Sequence, residues 1–318
     1  MKTAVLVTSA GTSSAISVIK ALRLQREIEV HIVAVDADPT APGLFLADAR
    51  ASVPSASDPD YVARLLALCE AHHIRALFPI HSGEIELLAA HAEAFTDRGI
   101  GVLLPTAASV QRCNDKRAMY ALVSRLGFTV PREAGPGSGV PYPWFGKPNN
   151  GSGTIGTFLV RTSVDEAYAA AAAPGLLWQE FVEGPEYTVD IVCDRSHRPL
   201  VTSPRLRLAT KAGQSVKGRT AAEPMLVARS EAICREIEMV GPCNLQFIRR
   251  GGEFVFIEVN PRYAAGGLML TVGAGGNIPL VALRLALKQG DPQPVTVLSG
   301  VTMLRYYEEI ILQPEEAP

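Results

Sequence analysis

The sequence feature that most constrains the fold is a predicted β-hairpin in the C-terminal third of the chain. Two stretches, 244–250 and 253–260, are joined by a Gly-Gly pair, which is typical of a tight turn between strands. Along the second strand, the apolar side chains of Val255, Ile257 and Val259 alternate with polar ones. Glu258 and Asn260 are two residues apart, so we expect them on one face of the sheet.

The pairing of the two strands decides whether Gln246 joins that face. A strict two-residue turn would put Gln246 opposite Ile257, on the wrong face. A three-residue loop or a β-bulge would put Gln246 opposite Glu258 instead. We predict one of these irregularities, so that Gln246, Glu258 and Asn260 converge. Their oxygens are ligands that Mg²⁺ prefers, although a half-buried hairpin with a polar outer face gives the same pattern.

The residues after the second strand favour a ligand site over a plain surface hairpin. Pro261 ends the strand because it has no N–H to donate to the ladder. Arg262 is then expected at the mouth of the strand, where its guanidinium could bind phosphate oxygens.

Length, charge and cysteine content limit the classes of protein that fit. With 318 residues, the chain is long enough for two or three packed units. A net charge of −2 argues against nucleic acid as the main partner, since phosphate backbones require a basic surface. No run of about 18 apolar residues is present, so we expect no membrane span. Five scattered cysteines favour reduced thiols in a cytoplasmic protein.

The first hundred residues alternate between strand-like and helical segments, including a helix predicted over 84–95. This alternation predicts an α/β fold with a parallel sheet and helices on both faces. The turn Ser9–Ser14 could hold an anion through its free amides, or it could be only a tight turn. It lacks the GxGxxG fingerprint, so a ribose-binding role for Asp36 is not expected. Glu84 either faces the same cleft or is an acid that favours a helix start.

The pattern after residue 112 places two lysines near a glycine-rich loop. Lys116 opens a predicted helix that ends near residue 126. Lys147 lies on a short predicted strand and precedes the loop 149–156, whose exposed amides could close over phosphates. A solvent-exposed hairpin loop is the alternative, but an ammonium fixed beside such a loop favours triphosphate binding.

A strand, a turn and a second strand are predicted over 176–192. The extended backbone at Phe181 and Val182 could pair with an adenine edge, and a nearby carboxylate could bind ribose hydroxyls. A surface hairpin with solvated acids is the alternative. The acids of this stretch are Glu180, Glu183 and Glu186.

Residues 200–224 carry several basic side chains and few acids. The basic residues are Arg205, Arg207, Lys211, Lys217 and Arg219. A basic, glycine-containing loop in a net-acidic chain indicates an anionic ligand, or else a disordered and solvated loop. Beyond it we predict a helix over 228–240, a glycine-bearing loop over 268–276, a helix over 278–288 and a last strand over 295–304.

Taken in this order, the motifs resemble the ATP-grasp superfamily. The matching residues are Asp115-Lys116, Gly146-Lys147-Pro148, the glycine-rich loop, Glu180 to Glu186, Gln246 and Glu258 to Arg262. The resemblance runs from Asn114 to about Leu287. It is nearest to the synthetase domain of the carbamoyl phosphate synthetase large subunit and to stand-alone amide-forming ligases.

The resemblance implies an architecture of three parts. A Rossmann-like pre-ATP-grasp domain with a parallel sheet would be followed by a two-lobed α+β ATP-grasp domain. The implied boundaries are 1–112 for the first domain, 113–185 for a lid subdomain and 186–318 for a C-terminal subdomain that holds the metal site.

The resemblance also implies roles for individual residues. The ATP phosphates would contact Lys116 and Lys147. The mobile loop would include Gly151, Ser152, Gly153, Thr154 and Gly156. Adenine would contact Glu180, Phe181 and Val182, and ribose would contact Glu186. Glu258 would bridge two Mg²⁺ or Mn²⁺ ions, with Gln246 and Asn260 as further ligands. Arg262 and Lys147 would be catalytic, with Arg262 facing an acyl phosphate. The acceptor substrate would lie near Arg205, Arg207, Lys217, Gly266 and Gly267.

These expectations describe an ATP-dependent carboxylate–amine ligase that acts through an acyl phosphate and releases ADP and phosphate. Its partners would be a small-molecule carboxylate and an amine, without nucleic acid or membrane, and a homodimer is one option. Complete carbamoyl phosphate synthesis is not expected, because the chain has one ATP-grasp domain where that synthetase has two. The alternatives are an enzyme that phosphorylates bicarbonate or another acid, a nucleotide-binding module without turnover, and a dehydrogenase, which the missing fingerprint disfavours.

Overall fold

The computed structural model describes residues 2–151, 156–290 and 292–314. Its N-terminal region is a five-stranded parallel sheet with the strand order β3-β2-β1-β4-β5. The strands are β1 (Thr3–Val7), β2 (Val30–Asp36), β3 (Ala49–Ser52), β4 (Ala76–Phe78) and β5 (Gly101–Val102). The helices are α1 (Ser13–Leu24), α2 (Tyr61–Ala71), α3 (Ser82–Ala90), α4 (Ala92–Thr96) and α5 (Ala107–Asn114), with a 3₁₀ helix at Pro42–Leu46.

The first strand explains why helices cover both faces of this sheet. Side chains alternate along a strand, so Val5 and Val7 pack into one apolar core and Leu6 packs into another. The helix predicted over 84–95 is in fact two helices that meet at His91.

Two antiparallel sheets follow in the chain. The elements are α6 (Lys116–Arg125), β6 (Trp144–Lys147), β7 (Phe158–Val160), α7 (Ser163–Ala172), β8 (Leu177–Glu180), β9 (Glu186–Cys193), β10 (Pro199–Lys211), β11 (Gln214–Thr220), α8 (Pro224–Glu236), β12 (Gly241–Arg250), β13 (Glu253–Asn260), α9 (Leu268–Gly273), α10 (Ile278–Ala286) and β14 (Thr302–Leu304). One sheet has three strands in the order β7-β6-β8, and the other has six in the order β13-β12-β9-β10-β11-β14.

The six-stranded sheet has one apolar and one polar face. Val189, Leu245 and Phe256 on the apolar face pack against Met119 of α6 and Ile233 of α8. Each fully buried side chain of this size contributes about 1.5–3 kcal/mol to folding. The polar face is left to line the cavities described below.

The last helices join the two halves of the molecule. Leu268 of α9 and Ile278 of α10 lie in the same core as Val5 and Val7 of the N-terminal sheet. This shared core brings the end of β13 close to α3.

The predicted α/β class is confirmed, with a parallel sheet followed by antiparallel sheets, but three local predictions were wrong. Residues 200–224 are largely the paired strands β10 and β11 and not a loop. The two strands predicted over 176–192 are present as β8 and β9, and because they belong to different sheets the alternative of a surface hairpin is wrong. The predicted loop 268–276 contains α9, and the last strand is shortened to Thr302–Leu304. None of the described helices is long and apolar enough to cross a membrane.

Candidate active site

A β-bulge at Ile257 aligns the polar side chains of the hairpin. Gln246 pairs with Glu258, whereas the next residue, Phe247, pairs with Phe256, so that Ile257 is the extra residue on β13. The predicted irregularity is therefore confirmed, and it is a bulge, because Gly251-Gly252 is a two-residue turn. The expected alternation of Ile257 with Glu258 is wrong, since both side chains line the same cleft.

The bulge completes a row of side chains that crosses four strands. Glu258 lies beside Gln246, Gln246 beside Thr188, and Thr188 beside Arg205. A second row, two residues along each strand, contains Asn260, Asn244 and Asp190. Thr188 and Asp190 were missed in the sequence, although they alternate with the core residues Tyr187, Val189 and Ile191.

A cleft of about 620 Å³ lies against this face. Its lining residues are Lys116, Phe145, Lys147, Pro148, Asn150, Gly151, Thr157, Gln179, Phe181, Val182, Glu186, Arg207, Thr210, Gly213, Gln246, Ile248, Ile257 and Glu258. The structure thus brings together residues that the sequence singled out from four separate stretches. Gly156 is not part of this lining, and Ser152, Gly153 and Thr154 lie outside the described residues.

Lys147 is buried in the cleft wall and has a neutral partner. Its ammonium donates to the hydroxyl of Tyr120 over 2.7 Å, and that hydroxyl donates to Gln179 Oε1 over 2.8 Å. Burial lowers the pKa of Lys147 to about 8, although Glu258 opposes this shift. Neither Tyr120 nor Gln179 was predicted, because nothing local in the sequence marks a contact between residues 59 positions apart.

Lys116 is held by backbone carbonyls on the same side of the cleft. Its ammonium donates to Gly151 O over 2.8 Å and to Asn149 O over 3.3 Å. Burial lowers the pKa of Lys116, while Glu258 and Asp115 favour its charged form. Two ammonium groups with mostly uncharged partners leave positive charge for an anionic ligand.

Of the proposed metal ligands, Glu258 and Gln246 line both the cleft and a smaller cavity, whereas buried Asn260 lines neither. Asn260 Nδ2 donates to Glu258 Oε1 over 3.1 Å, and Asn260 Oδ1 accepts from Arg262 over 3.2 Å. Gln246 is half-buried, and its side-chain amide makes no hydrogen bond to the rest of the described chain. One carboxylate and two amide oxygens suit a hard cation that takes further oxygens from phosphates. Among the described residues, no group of three or more His, Cys, Asp and Glu side chains is arranged to hold a metal ion.

The acids predicted to bind the nucleoside differ in placement. Glu186 lines the cleft and forms an ion pair with Arg207. Glu180 does not line the cleft, because Arg132 and Arg250 hold its carboxylate at 2.8 and 2.9 Å. Burial disfavours the charged form of Glu180, but the hydrogen bonds from these arginines outweigh it and lower its pKa.

A smaller cavity of about 190 Å³ adjoins the cleft. Its lining residues are Thr188, Arg205, Arg207, Ala212, Gly213, Gln214, Ser215, Asn244, Gln246, Glu258, Arg262, Ala264, Ala265 and Gly266. Four of these residues line the larger cleft as well, namely Arg207, Gly213, Gln246 and Glu258. The two cavities therefore share a border at the proposed metal ligands.

Arg262 joins the smaller cavity to the N-terminal region. Its guanidinium donates to Ser82 Oγ of α3 over 2.6 Å and to Tyr263 O over 3.0 Å. Burial lowers the pKa of Arg262, and nearby Glu258 opposes this. Within the described ranges Arg262 forms no ion pair, so its charge is available to a ligand.

The other predicted acceptor residues are only partly in position. Arg205 lines the smaller cavity, but two hydrogen bonds of 2.8 and 3.0 Å tie it to buried Asp190. Gly267 packs against that guanidinium, where a Cβ would clash at 2.1 Å. Lys217 is exposed on β11 and lines neither cavity.

The N-terminal candidates are occupied by protein contacts. Glu84 is buried at the start of α3 and accepts hydrogen bonds from Thr8, Ser9 and Tyr61, so the helix-start interpretation holds. Asp36 accepts from the backbone of Gly11 at 2.7 Å. These acids stabilise the turn itself and do not line either cavity.

Comparisons with protein families match two segments of the chain. Residues 5–103 match a PylC-like N-terminal domain. Residues 172–309 match a family described as ATP-grasp in the biosynthetic pathway with Ter operon. The chain thus contains an ATP-grasp domain, and its N-terminal region is PylC-like.

Similar individual proteins agree with this result. A segment of 70 residues is 31% identical to part of the carbamoyl phosphate synthase large chain of Methanoculleus marisnigri. The matched segment is 22% of this chain but only 7% of that protein. The fold is similar to the biotin carboxylase domain of 2-oxoglutarate carboxylase from Hydrogenobacter thermophilus, solved as a dimer with the magnesium salt of ADP and with bicarbonate (TM-score 0.69, 19% identity, 90% of this chain and 70% of that one). It is also similar to L-amino acid ligase from Bacillus licheniformis (TM-score 0.67, 16% identity, 90% and 74%).

Proposed function

We propose that this chain, an ATP-grasp protein, is an ATP-dependent ligase that joins a small carboxylic acid to an amine through an acyl phosphate. The observation that carries the proposal is the shared border of the two cavities. A nucleotide in the larger cleft and an acid in the smaller cavity would meet at Glu258 and Gln246. The two reacting groups would then be held side by side, which is the main requirement of phosphoryl transfer.

The larger cleft offers groups for each part of ATP. Lys116 and Lys147 would bind phosphate oxygens, and the backbone at Phe181 and Val182 would receive the adenine edge. Glu186 would bind ribose hydroxyls, provided that its carboxylate keeps one oxygen free of Arg207. The volume of the cleft, about 620 Å³, lies within the range of roughly 300–1,000 Å³ that is usual for small-molecule sites.

Glu258, Gln246 and Asn260 would hold Mg²⁺, or Mn²⁺ in its place. When bound, such an ion neutralises charge on phosphate oxygens and orients them. Glu258 would be its anionic ligand, and the amide of Gln246, which has no partner among the described residues, supports a ligand role. We propose that two ions bind, as the resemblance to the ATP-grasp superfamily implies.

The reaction would proceed in two displacement steps. A carboxylate oxygen of the acid attacks the γ-phosphorus, and the bond from that phosphorus to the bridging oxygen breaks, so ADP leaves with the electron pair. The nitrogen lone pair of a neutral amine then attacks the acyl carbon. Phosphate leaves with the electrons of the carbon–oxygen bond, and the amine nitrogen loses a proton to solvent. Arg262 would stabilise the anionic oxygens in both steps.

Bicarbonate is a second candidate for the acid. The smaller cavity is only about 190 Å³, and the similar Hydrogenobacter structure contains bicarbonate. Transfer of ¹⁸O from labelled bicarbonate into phosphate would favour this reaction, and transfer from a labelled organic acid would favour the first.

The proposal is tested by ADP release from the purified protein with ATP, MgCl₂ and a panel of acids, with hydroxylamine added to capture acyl phosphates as hydroxamates. We expect ADP and hydroxamate in equal amounts with at least one acid. ATP binding without ADP release for every acid and amine would instead favour a nucleotide-binding module. We propose that the protein acts in the cytoplasm, because its cysteines are free thiols and its reaction would consume ATP. We also propose that it forms a homodimer.

A further inference from the structure

We infer that the smaller cavity accepts a small anionic acid that carries no ammonium group, such as a hydroxy or oxo acid. The inference rests on the proposed function, because this acid would be the one that is phosphorylated. It goes beyond that function by separating two classes of acid with the same size and shape. Its basis is the size of the cavity, its charges and one hydroxyl group.

Size limits the ligand first. A cavity of about 190 Å³ is smaller than the roughly 300–1,000 Å³ of pockets that bind drug-sized ligands, so it suits a small molecule. The wall opposite the sheet consists of small residues, Ala264, Ala265 and Gly266. Gly266 packs so tightly that a Cβ there would lie 2.4 Å from the backbone nitrogen of Ser215. This wall is therefore closely packed against Ser215, which favours a small ligand.

Charge limits the ligand next. Three arginines line the cavity, and two of them are neutralised, Arg205 by Asp190 and Arg207 by Glu186. Arg262 has only uncharged partners in the part of the chain that the structure describes. Arg305 adds a further positive charge nearby, because it donates to Gln214 and to Ala265 at the cavity edge. The cavity is therefore set to bind an anion.

The same charges disfavour an ammonium group on the ligand. Glu258 is the one carboxylate among the described lining residues, and it is the proposed metal ligand. An amino acid would need a second carboxylate or several free carbonyl groups for its ammonium. It would instead face Arg262 and a divalent cation, both of which repel it. A neutral hydroxyl or oxo group carries no such cost.

Thr188 supplies a partner for such a neutral group. It is 3% exposed, lines the cavity and lies between Gln246 and Arg205 in the cross-strand row. Its hydroxyl has no hydrogen-bond partner in residues 2–151, 156–290 and 292–314. The hydroxyl is thus open to the cavity, where a ligand group that can bond to it gains a hydrogen bond. Thr188 is therefore a specificity residue for the acid.

The test compares acids that differ only in this group. Glycolate and glycine are one matched pair, and lactate and alanine are another, while mandelate tests size. Binding to the protein with MgCl₂ and the non-hydrolysable analogue AMPPNP is measured by ligand-observed NMR, and ADP release is measured with ATP. We expect each hydroxy acid to bind at least tenfold more tightly than its amino acid, and lactate to bind more tightly than mandelate.

Variants of Thr188 examine its role separately. Thr188→Val keeps the shape and should raise the KM of the acid about five- to tenfold, with the KM of ATP and the Tm unchanged. Thr188→Ser should restore the KM, and exposed Thr296→Val is the matched control. A merely structural role would change Tm or both KM values together.

The outcomes separate the inference from the proposed function. Tighter binding and faster turnover of glycine or alanine would overturn the inference and leave the ligase assignment intact. Binding of hydroxy acids without ADP release would support the inference and overturn the ligase assignment. Failure of every small acid to bind in the presence of AMPPNP would also overturn the inference.

Discussion

Gln246 lies directly opposite Glu258, and it does so because Ile257 is bulged out of the ladder between β12 and β13. Without the bulge the side chain of Gln246 would be paired with Ile257 and would have no oxygen neighbour on β13. One additional residue therefore determines whether the polar face of the hairpin can act as a site.

Replacement of Glu258 should abolish catalysis while the protein remains folded. Glu258→Gln removes the one anionic ligand of the proposed metal site, so we expect ADP formation to fall by about 10²- to 10³-fold. The dependence of ATP binding on MgCl₂ should weaken as well. Glu253→Gln, on the exposed end of the same strand, is the control and should behave as wild type. Equal activity of the two variants would contradict the site.

Lys147 should give the reaction a pH limit on the alkaline side. Burial lowers its pKa to about 8, so the free protein loses this ammonium as the pH rises through that value. We expect kcat/KM for ATP to be constant below about pH 8 and to decline above it, since kcat/KM reports the free enzyme. Lys147→Met should be slow at all pH values and lack this limb. If kcat/KM of the variant still declined above about pH 8, the decline would belong to a group other than Lys147.

The same group predicts how stability depends on pH. The pKa of Lys147 in the folded state is about 8, below the ordinary value of 10.5, so the unfolded chain binds more protons between these values. The free energy of unfolding should therefore rise with pH across this window. Urea unfolding at several pH values should show a steeper rise for wild type than for Lys147→Met. Parallel curves would rule out the depressed pKa.

The hydroxyl of Tyr120 should matter to both folding and ATP binding. Tyr120→Phe leaves Lys147 and Gln179 without their shared partner. We expect a loss of about 1–2 kcal/mol in the free energy of unfolding and a severalfold higher KM for ATP. Tyr168→Phe on exposed α7 is the control. An unchanged KM would mean that Lys147 does not depend on this contact.

Arg205 should be a structural residue more than a substrate ligand. Arg205→Met leaves buried Asp190 without its cation, so we expect a loss of about 3–5 kcal/mol of stability. Arg249→Met breaks the more exposed pair with Glu223 and should cost less than about 1 kcal/mol. The comparison is made by urea denaturation. A similarly small loss of unfolding free energy in both variants would instead favour a ligand-binding role for Arg205.

Short-range patterns were sufficient to predict the alternation of strands and helices and an irregularity in the hairpin, because both are visible in the spacing of neighbouring side chains. The strand β10 was missed for a physical reason. Arg205 and Arg207 alternate with Pro204, Leu206 and Leu208, and a charged face of a strand has the composition of a loop. Only pairing with β9 and β11 makes that face the floor of a cavity.

Contacts between distant segments could not be predicted either, because local composition does not show which segments pack together. The hydroxyl of Tyr120 meets Lys147 and Gln179 because α6 packs beside the end of β13, and no local spacing encodes that arrangement. Glu180 was expected at the nucleotide because of its place in the motif. Arg132 and Arg250, from two other segments, hold it outside the cleft.

The common wall at Gln246 and Glu258 has a consequence for inhibitor design. A single molecule that carries an adenosine polyphosphate at one end and a small acid mimic at the other could occupy both cavities at once. Its second half would then bind at a high effective concentration, so its affinity could exceed that of either fragment by orders of magnitude. Such a compound would also report the distance between the two ligands, since only linkers of the right length would show the gain.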